Sequence, residues 1–157
     1  RCRTSRPEET ACLMRIFLDS DVIIAALDGH EAQSPDAQRV MDLVESGTVQ
    51  AVTTSVILAN VMYVVSQKWR ISRTRMDRPR VVEAMGSILA LVKVIPIGEA
   101  HFHASFSSKF DDLEDGVQHF AALDAGKVDA IVTCNGKDFA ASRIKVLEPA
   151  EMIERLG

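Results

Sequence analysis

The sequence lacks any long uninterrupted run of apolar residues, although 47% of its 157 residues are hydrophobic. A helix that spans a bilayer needs about 20 predominantly apolar residues. Here Asp, Asn, Gln or Pro breaks the longest apolar stretches. We therefore expect that the chain is not an integral membrane protein. With 25% charged residues, the composition is that of one ordinary globular domain with a proper core.

Cysteine is scarce, and basic residues are not in excess. The three cysteines, Cys2, Cys12 and Cys134, form neither a CxxC pair nor a metal-ligand spacing. They are too few for a disulfide framework, so a reducing cytoplasm is the simplest setting. The net charge is −4, so the chain is not a polycation. Any contact with nucleic acid must come from a local basic patch.

The first thirteen residues, RCRTSRPEETACL, lack hydrophobic periodicity. They also lack the basic start, apolar middle and small-residue cleavage site of a secretory signal. We expect residues 1–13 to be a poorly ordered extension, with the folded domain at residues 14–157.

Short apolar runs alternate with longer amphipathic segments from Met14 onward, which predicts an α/β fold with a mostly parallel sheet. Five strands are predicted, at residues 15–18, 49–52, 93–96, 130–133 and 145–147. Helices are predicted at residues 34–45, 80–91 and 99–107, from Thr54 or Ser55 through VILANVMYVV, from Asp111 or Asp112 to near Gly126, and from Pro149 to the end. Ser34 and Pro35 suit the cap and first residue of the 34–45 helix.

Acidic and polar side chains collect at one predicted edge of this sheet. In an open parallel sheet, ligands bind outside the carboxyl ends of the strands. Four segments contribute: the ends of the first, second and fourth strands with the residues just after them, and the start of the helix before the fourth strand. The side chains concerned are Asp19, Asp21, Thr53, Thr54, Asn60, Asp111, Asp112, Glu114, Asp115, Thr133, Asn135 and Asp138.

Carboxylates that lie together raise one another's pKa unless a cation holds them, and Mg²⁺ and Mn²⁺ prefer oxygen ligands. The pattern therefore indicates a divalent-metal site. Such a metal can activate a water for attack on phosphorus, which favours phosphodiester hydrolysis. Each element also has a simpler interpretation: Asp19 can cap a helix, and the acids of residues 111–115 can complement a helix dipole. Asn60, in an apolar run, is expected either to bond to nearby backbone or to face a polar site.

The segment KWRISRTRMDRPR, residues 68–80, is basic, with six Lys or Arg residues against one Asp. A solvated helix end and loop is one interpretation. The functional alternative is contact with an RNA backbone, with Trp69 available to stack on a base. The residues predicted to bind RNA are Lys68, Arg70, Arg73 and Arg75.

Three stretches together resemble the PIN-domain ribonucleases: MRIFLDSDVIIAAL, TTSVILANVMYVV and DLEDGVQHFAALDAGKVDAIVTCNGKDF. This fold is used by many VapC-like toxins of type II toxin–antitoxin pairs. The resemblance implies a three-layer α/β/α sandwich with about five strands in a mostly parallel central sheet. It also implies an endoribonuclease that depends on Mg²⁺ or Mn²⁺, with an antitoxin protein as partner and a homodimer as a common state.

The resemblance assigns site residues by position. It matches Asp19, Asp115 and Asp138 to catalytic and metal-binding carboxylates, with Asn135 as the alternative to Asp138 in the last segment. Asp21 matches a further polar position beside the metal. Asn60, Thr133 and Asn135 are expected to support the site. Asn60 departs from the usual Glu, which matches an Asn-containing branch and implies weaker metal binding or a site completed by Asp21.

Two other functions compete with this interpretation. The sequence DSDVI also approximates the nucleophile motif of haloacid-dehalogenase-like phosphatases, in which a second acidic pair follows a strand. The polar segment SFSSKF before Asp111 does not suit that requirement. Outside catalysis, the Asn60 substitution allows a metal-poor PIN domain that only binds RNA or an antitoxin.

Overall fold

The computed structural model describes residues 13–30 and 32–156, so the extension predicted at residues 1–13 lies almost entirely outside the described residues. The strands in the described part are β1 (Met14–Leu18), β2 (Val49–Thr54), β3 (Arg70–Ser72), β4 (Arg75–Met76), β5 (Val92–Ile95), β6 (Ala130–Val132) and β7 (Lys145–Leu147). The helices are α1 (Ser20–Asp28), α2 (Ser34–Glu45), α3 (Ser55–Lys68), α4 (Arg78–Leu91), α5 (Glu99–Phe106), α6 (Leu113–Asp124) and α7 (Pro149–Glu154). A 3₁₀ turn covers Gly136–Phe139.

Five strands form one parallel sheet in the order β5-β2-β1-β6-β7. Strand β1 is at the centre of the sheet. Strands β2 and β5 lie on one side of it, and β6 and β7 lie on the other. Right-handed crossovers in opposite directions place their helices on opposite faces of a sheet. The contacts fit this rule, because α1 packs against α2 and α3 while α5 packs against α6. The predicted three-layer α/β/α fold with a five-stranded parallel sheet is confirmed.

The core follows from this layering. Ile16, Phe17 and Leu18 are completely buried in β1, and Ala130–Val132 are completely buried in β6. A parallel strand covered on both faces needs a continuous apolar run rather than alternation. In the described part of the chain, no helix is both long enough and apolar enough to cross a membrane.

The structure adds elements that the sequence patterns did not predict. Helix α1 continues the apolar run of β1 without a composition change, so periodicity gave no boundary there. The hairpin of β3 and β4 lies within the basic segment at residues 68–80, for which a solvated helix end and loop was one of the two interpretations. Ser34 is the first helical residue of α2, so its prediction as the cap was wrong by one position.

Candidate active site

Asp19 lies at the carboxyl end of the central strand, between β1 and α1. Its Oδ1 accepts a hydrogen bond of 2.6 Å from the Ser20 backbone N–H, so it is the N-cap of α1. The capping interpretation of Asp19 is thus correct. The second oxygen, Oδ2, remains available and lies 2.9 Å from Thr133 Oγ1. Asp19 can therefore cap a helix with one oxygen and take part in a site with the other.

Thr133 joins the two aspartates of the DSD sequence. It follows β6, which pairs directly with β1, and is completely buried. Its Oγ1 lies 2.9 Å from Asp19 Oδ2 and 3.1 Å from Asp21 Oδ2, and accepts from the Asn135 N–H at 3.1 Å. A hydroxyl group has a single proton. When both carboxylates are ionised, Thr133 can therefore satisfy only one of them at a time.

Asp21 accepts hydrogen bonds from the loop that follows β6, but only one of its two carboxylate oxygens has a partner. Its Oδ2 accepts a 2.9 Å hydrogen bond from the Cys134 backbone N–H. Its Oδ1 is buried and has no hydrogen-bond partner among the described residues. A buried acceptor without a partner is costly unless something else, such as a cation, occupies the position.

Asp138 stands on the 3₁₀ turn after β6 and is exposed. The Asn135 side-chain amide donates to its Oδ2 at 2.5 Å. Of the two alternatives left open for this segment, Asn135 acts in the structure as the orienting group and Asp138 presents the carboxylate.

Asp115 enters the site from the first turn of α6. Asp112 caps this helix, since its Oδ1 accepts from the backbone N–H groups of Glu114 and Asp115 at 2.8 and 3.4 Å. Helix α6 approaches α5 closely at Gly116, where an added Cβ would lie 2.3 Å from Ser105 Oγ. Ser105 Oγ in turn donates to the Leu113 carbonyl at 2.7 Å. The absence of a side chain at Gly116 therefore allows α6, which bears Asp115, to pack close to α5.

The carboxylates interact strongly. Burial and the charge of Asp21 raise the pKa of Asp19 from 3.8 to about 6, although the Ser20 and Thr133 hydrogen bonds partly oppose this. Burial, followed by the charges of Asp19, Asp112 and Asp138, raises the pKa of Asp115 to about 7. Burial also raises the pKa of Asp21, and the charge of Asp138 adds to the effect. The four aspartates predicted from the sequence thus form one electrostatic cluster.

The donor set fits a hard divalent cation, because all four groups are carboxylates and one buried oxygen of Asp21 is unpartnered. Within residues 13–30 and 32–156, however, no three His, Cys, Asp or Glu side chains are arranged as a ready-made metal cage. Mutual repulsion of uncompensated carboxylates accounts for an open arrangement. Asp19, Asp21, Asp115 and Asp138 are the residues that would hold a cation here.

Asn60 lies on α3 and is exposed, so its amide does not carry the cost of burial, and the expectation that it faces a polar site stays a prediction. Its side chain forms no hydrogen bond with the residues that the structure describes. The buried amide is instead Gln118 on α6, which accepts a 2.6 Å hydrogen bond from Thr54 Oγ1. Sequence reasoning did not single out Gln118. The available signal was its place between Val117 and Ala121 on the buried side of an amphipathic helix.

The basic segment at residues 68–80 is placed at the opposite end of the sheet from the carboxylates. Helix α3 begins at the carboxyl end of β2, and Lys68 is the last of its 14 residues. At a rise of 1.5 Å per residue, this distance is about 20 Å. Lys68 Nζ pairs there with Asp28 Oδ2 at 2.8 Å, at the far end of α1.

The side chains of this segment are partly engaged with the protein itself. Trp69 is only 8% exposed and the Arg80 guanidinium lies 4.1 Å from its ring centroid, so its prediction as a base-stacking surface was wrong. Arg70 donates to Gln67 and to the Arg73 carbonyl. The exposed Arg73 and Arg75 are the better placed candidates for a backbone contact.

A five-stranded parallel sheet with carboxylates at the ends of β1 and β6 and at the start of α6 defines an open α/β domain with an acidic site. Comparison of the sequence with family profiles gives a match to the PIN domain over residues 15–137. The chain belongs to the PIN domain family. Comparison with curated protein sequences gives no significant match.

Solved structures share the fold at low sequence identity. VapBC2 from Rickettsia felis, solved bound to a promoter DNA fragment, is 14% identical with a TM-score of 0.60 and covers 86% of this chain and 98% of its own. VapC20 from Mycobacterium tuberculosis, described as a toxin that cleaves the sarcin–ricin loop, is 16% identical with a TM-score of 0.58 and covers 80% and 94%. PAE2754 from Pyrobaculum aerophilum is 12% identical with a TM-score of 0.62 and covers 95% and 93%.

Proposed function

We propose that the protein is an endoribonuclease that depends on Mg²⁺ or Mn²⁺ and acts in the cytoplasm as the toxin of a toxin–antitoxin pair. The observation that carries this proposal is the cluster of Asp19, Asp21, Asp115 and Asp138, gathered from three segments of the chain. Membership of the PIN family and the likeness to VapC20, described as a toxin that cleaves the sarcin–ricin loop, support it.

Each residue has a distinct task in this proposal. Asp19, Asp115 and Asp138 supply the negative charge that binds the cation, and a bound Mg²⁺ or Mn²⁺ would activate a water and stabilise the leaving oxygen. Thr133 orients the carboxylates of Asp19 and Asp21 through one hydroxyl. Asn135 holds Asp138 in place.

Asp21 compensates for Asn60 in this proposal. The usual Glu of PIN enzymes would add a carboxylate from α3, whereas here that position carries an exposed amide. Asp21 has a buried oxygen without a partner, so it can add charge to the site directly or through a water.

A small antitoxin is the proposed protein partner, because the family resemblance implies one; the likeness of the fold to VapBC2, solved bound to a promoter DNA fragment, supports this proposal. A homodimer is a further proposal that the family resemblance supports. The sequence of the adjacent gene is the first observation to make, and a small DNA-binding protein encoded there would support the assignment.

Cleavage of labelled RNA tests the activity. The wild type should cleave with Mg²⁺ or Mn²⁺ and stop in EDTA, and Asp19→Asn and Asp115→Asn should each reduce the rate at least about 100-fold. Asp111→Asn is the matched control, since Asp111 is exposed, carries the same charge and lies only four residues before Asp115. Activity that survives both site substitutions would refute the metal-site assignment.

A catalytically weak PIN module that binds RNA or an antitoxin is the second candidate. The exposed Asn60 and the open arrangement of the carboxylates favour it. RNA binding without cleavage at saturating Mn²⁺ would select this alternative. The phosphatase alternative has no such support, because the segment before Asp111 follows α5 and is not a strand.

A further inference from the structure

His119 is a buried ionisable side chain that the proposed metal site does not use. It lies on α6 four residues after Asp115, so the two side chains are neighbours on one face of the helix. His119 is only 1% exposed, and its ring centroid lies 5.0 Å from that of Phe110 and 5.1 Å from that of Phe120. A buried imidazole needs a hydrogen-bond partner, and the partner of His119 lies outside α6.

This partner is Ser142, on the loop that follows the 3₁₀ turn. His119 Nδ1 lies 3.1 Å from Ser142 Oγ. Ser142 Oγ also donates to the Ile144 carbonyl at 2.7 Å and accepts from the Ile144 N–H at 3.0 Å. Burial and the charge of Arg143 lower the pKa of His119 to about 4, so the ring is neutral at neutral pH. Because a hydroxyl has a single proton, His119 donates from Nδ1 in this arrangement and Ser142 accepts.

Ser142 closes the segment that carries Asp138. Its backbone N–H donates to the Phe139 carbonyl at 2.9 Å, directly after the 3₁₀ turn, and we call residues 136–142 the Asp138 turn. Phe139 is 1% exposed, and its ring meets that of Phe110 edge-on, with centroids 6.3 Å apart. Two side-chain contacts therefore hold the Asp138 turn in place: Ser142 with His119 on α6, and Phe139 with Phe110 just before α6.

The contact between His119 and Ser142 adjoins the pair of carboxylates formed by Asp115 and Asp138. Each member of the contact lies four residues after one of these aspartates. The charge of Asp138 raises the pKa of Asp115, so the two carboxylates lie within electrostatic range of each other. The described hydrogen bonds of Asp138 both run to Asn135 in the same loop, so they orient the carboxylate but do not set its distance from α6. That distance depends on how the Asp138 turn is held against the helix.

We propose that the hydrogen bond between His119 and Ser142 is a positioning contact of the acidic site. By joining α6 to the Asp138 turn, it sets the spacing between the carboxylates of Asp115 and Asp138. The inference rests on the proposed function, because this spacing matters for holding a cation. Neither His119 nor Ser142 contacts the cation or the RNA, and both act through Asp138.

Calorimetric titration with Mn²⁺ tests the inference without RNA. His119→Phe keeps an aromatic ring against Phe110 and removes the donor, whereas Ser142→Ala removes the acceptor. Each should lower the Mn²⁺ affinity about tenfold. The double variant should lose little more than Ser142→Ala alone, because both substitutions remove the same contact. Ser46→Ala is the matched control and should leave the affinity unchanged, since it removes a serine hydroxyl that donates to the Leu43 carbonyl at the exposed end of α2.

Two further measurements separate positioning from a general loss of packing. In an Asp138→Asn background, adding Ser142→Ala should cause little further loss of Mn²⁺ affinity, because its effect passes through Asp138. Hydrogen exchange in EDTA gives a readout without metal. The amides of Asp138, Ala140 and Ser142, whose hydrogen bonds form the Asp138 turn, should exchange faster in His119→Phe than in the wild type, while those of β1 and β2 should not change.

The outcomes separate this inference from the proposed function. A folded Ser142→Ala variant with the Mn²⁺ affinity of the wild type would overturn the inference, even if His119→Phe fails to fold. So would an undiminished effect of Ser142→Ala in the Asp138→Asn background, because the contact would then act on the whole domain. A wild type that binds no Mn²⁺ overturns both the metal site and this inference. A wild type that binds Mn²⁺ more tightly than Ser142→Ala but cleaves no RNA refutes the ribonuclease assignment alone.

Discussion

Replacing Asp19 by Asn should stabilise the metal-free protein at neutral and alkaline pH. In the folded chain the pKa of Asp19 is raised from 3.8 to about 6, so ionising this side chain is less favourable in the folded state than in the unfolded state. A rise of this size in the pKa corresponds to roughly 3 kcal/mol. Asn is as good a helix cap as Asp and can still accept from the Ser20 N–H.

The sign and the pH range follow from the direction of the shift. A carboxyl group with a raised folded pKa gives its full stability below the unfolded value of 3.8 and loses it as the pH rises through about 6. The Asp19→Asn variant should therefore match the wild type near pH 4. At pH 8 in EDTA, the free energy of unfolding of the variant should be about 2 kcal/mol higher than that of the wild type. This gain is smaller than roughly 3 kcal/mol, because the variant loses some hydrogen-bond energy with Thr133.

Urea unfolding in EDTA between pH 4 and pH 8 measures this difference. Asp111→Asn removes the same charge from an exposed position and should change stability by less than about 0.5 kcal/mol. Burial lowers the pKa of His119 to about 4, so its protonation destabilises both proteins at low pH and cancels in the comparison. An Asp19→Asn variant that is less stable than the wild type at pH 8 in EDTA would refute the electrostatic reasoning.

Three further predictions concern the support of the site and its contact with RNA. Gly116→Ala places a Cβ 2.3 Å from Ser105 Oγ, so it should lower the free energy of unfolding by about 1–3 kcal/mol. Urea titration measures this change, and an unchanged midpoint would contradict the close approach of α5 and α6. Thr133→Val removes the hydroxyl shared by two aspartates at nearly constant volume, so RNA cleavage should fall about 10–100-fold while thermal unfolding confirms a folded chain. Arg73→Ala and Arg75→Ala should each weaken RNA binding and reduce its salt dependence by about one unit of slope, and a slope equal to that of the wild type would show that the basic segment does not contact phosphate.

The sheet was predictable because its strands are buried on both faces. Runs such as IFL and AIV contain no polar residue, and their alternation with amphipathic helices fixes the α/β class. The caps Thr54 and Asp112 were also readable, since short oxygen-bearing side chains stand directly before the helices. Helix α1 was not assigned bounds, because its apolar residues resemble those of β1, although Asp19 was interpreted as a possible helix cap.

The sequence predicted which aspartates lie close together, but it did not predict the hydrogen bonds that orient them. The rule for carboxyl ends of parallel strands placed twelve polar side chains at one edge of the sheet, and the family resemblance selected Asp19, Asp21, Asp115 and Asp138 among them. The structure places these four close enough to affect one another's pKa. The sharing of one Thr133 hydroxyl depends on side-chain geometry between residues more than 100 positions apart, which no local pattern encodes. The burial of Trp69 under Arg80 depends on the β3–β4 hairpin, which a basic loop-like composition concealed. The catalytic roles of the aspartates remain predictions.

A divalent cation bound among these aspartates would relieve their mutual repulsion. Calorimetric titration of the EDTA-free protein with Mn²⁺ at pH 6.5, in two buffers of different ionisation enthalpy, tests it most directly. The wild type should bind Mn²⁺ with release of protons, because Asp19 and Asp115 carry protons near their pKa values of about 6 and about 7. The Asp19→Asn variant should bind Mn²⁺ much more weakly than the wild type. Equal Mn²⁺ affinity in the two proteins, with no proton release from either, would contradict it.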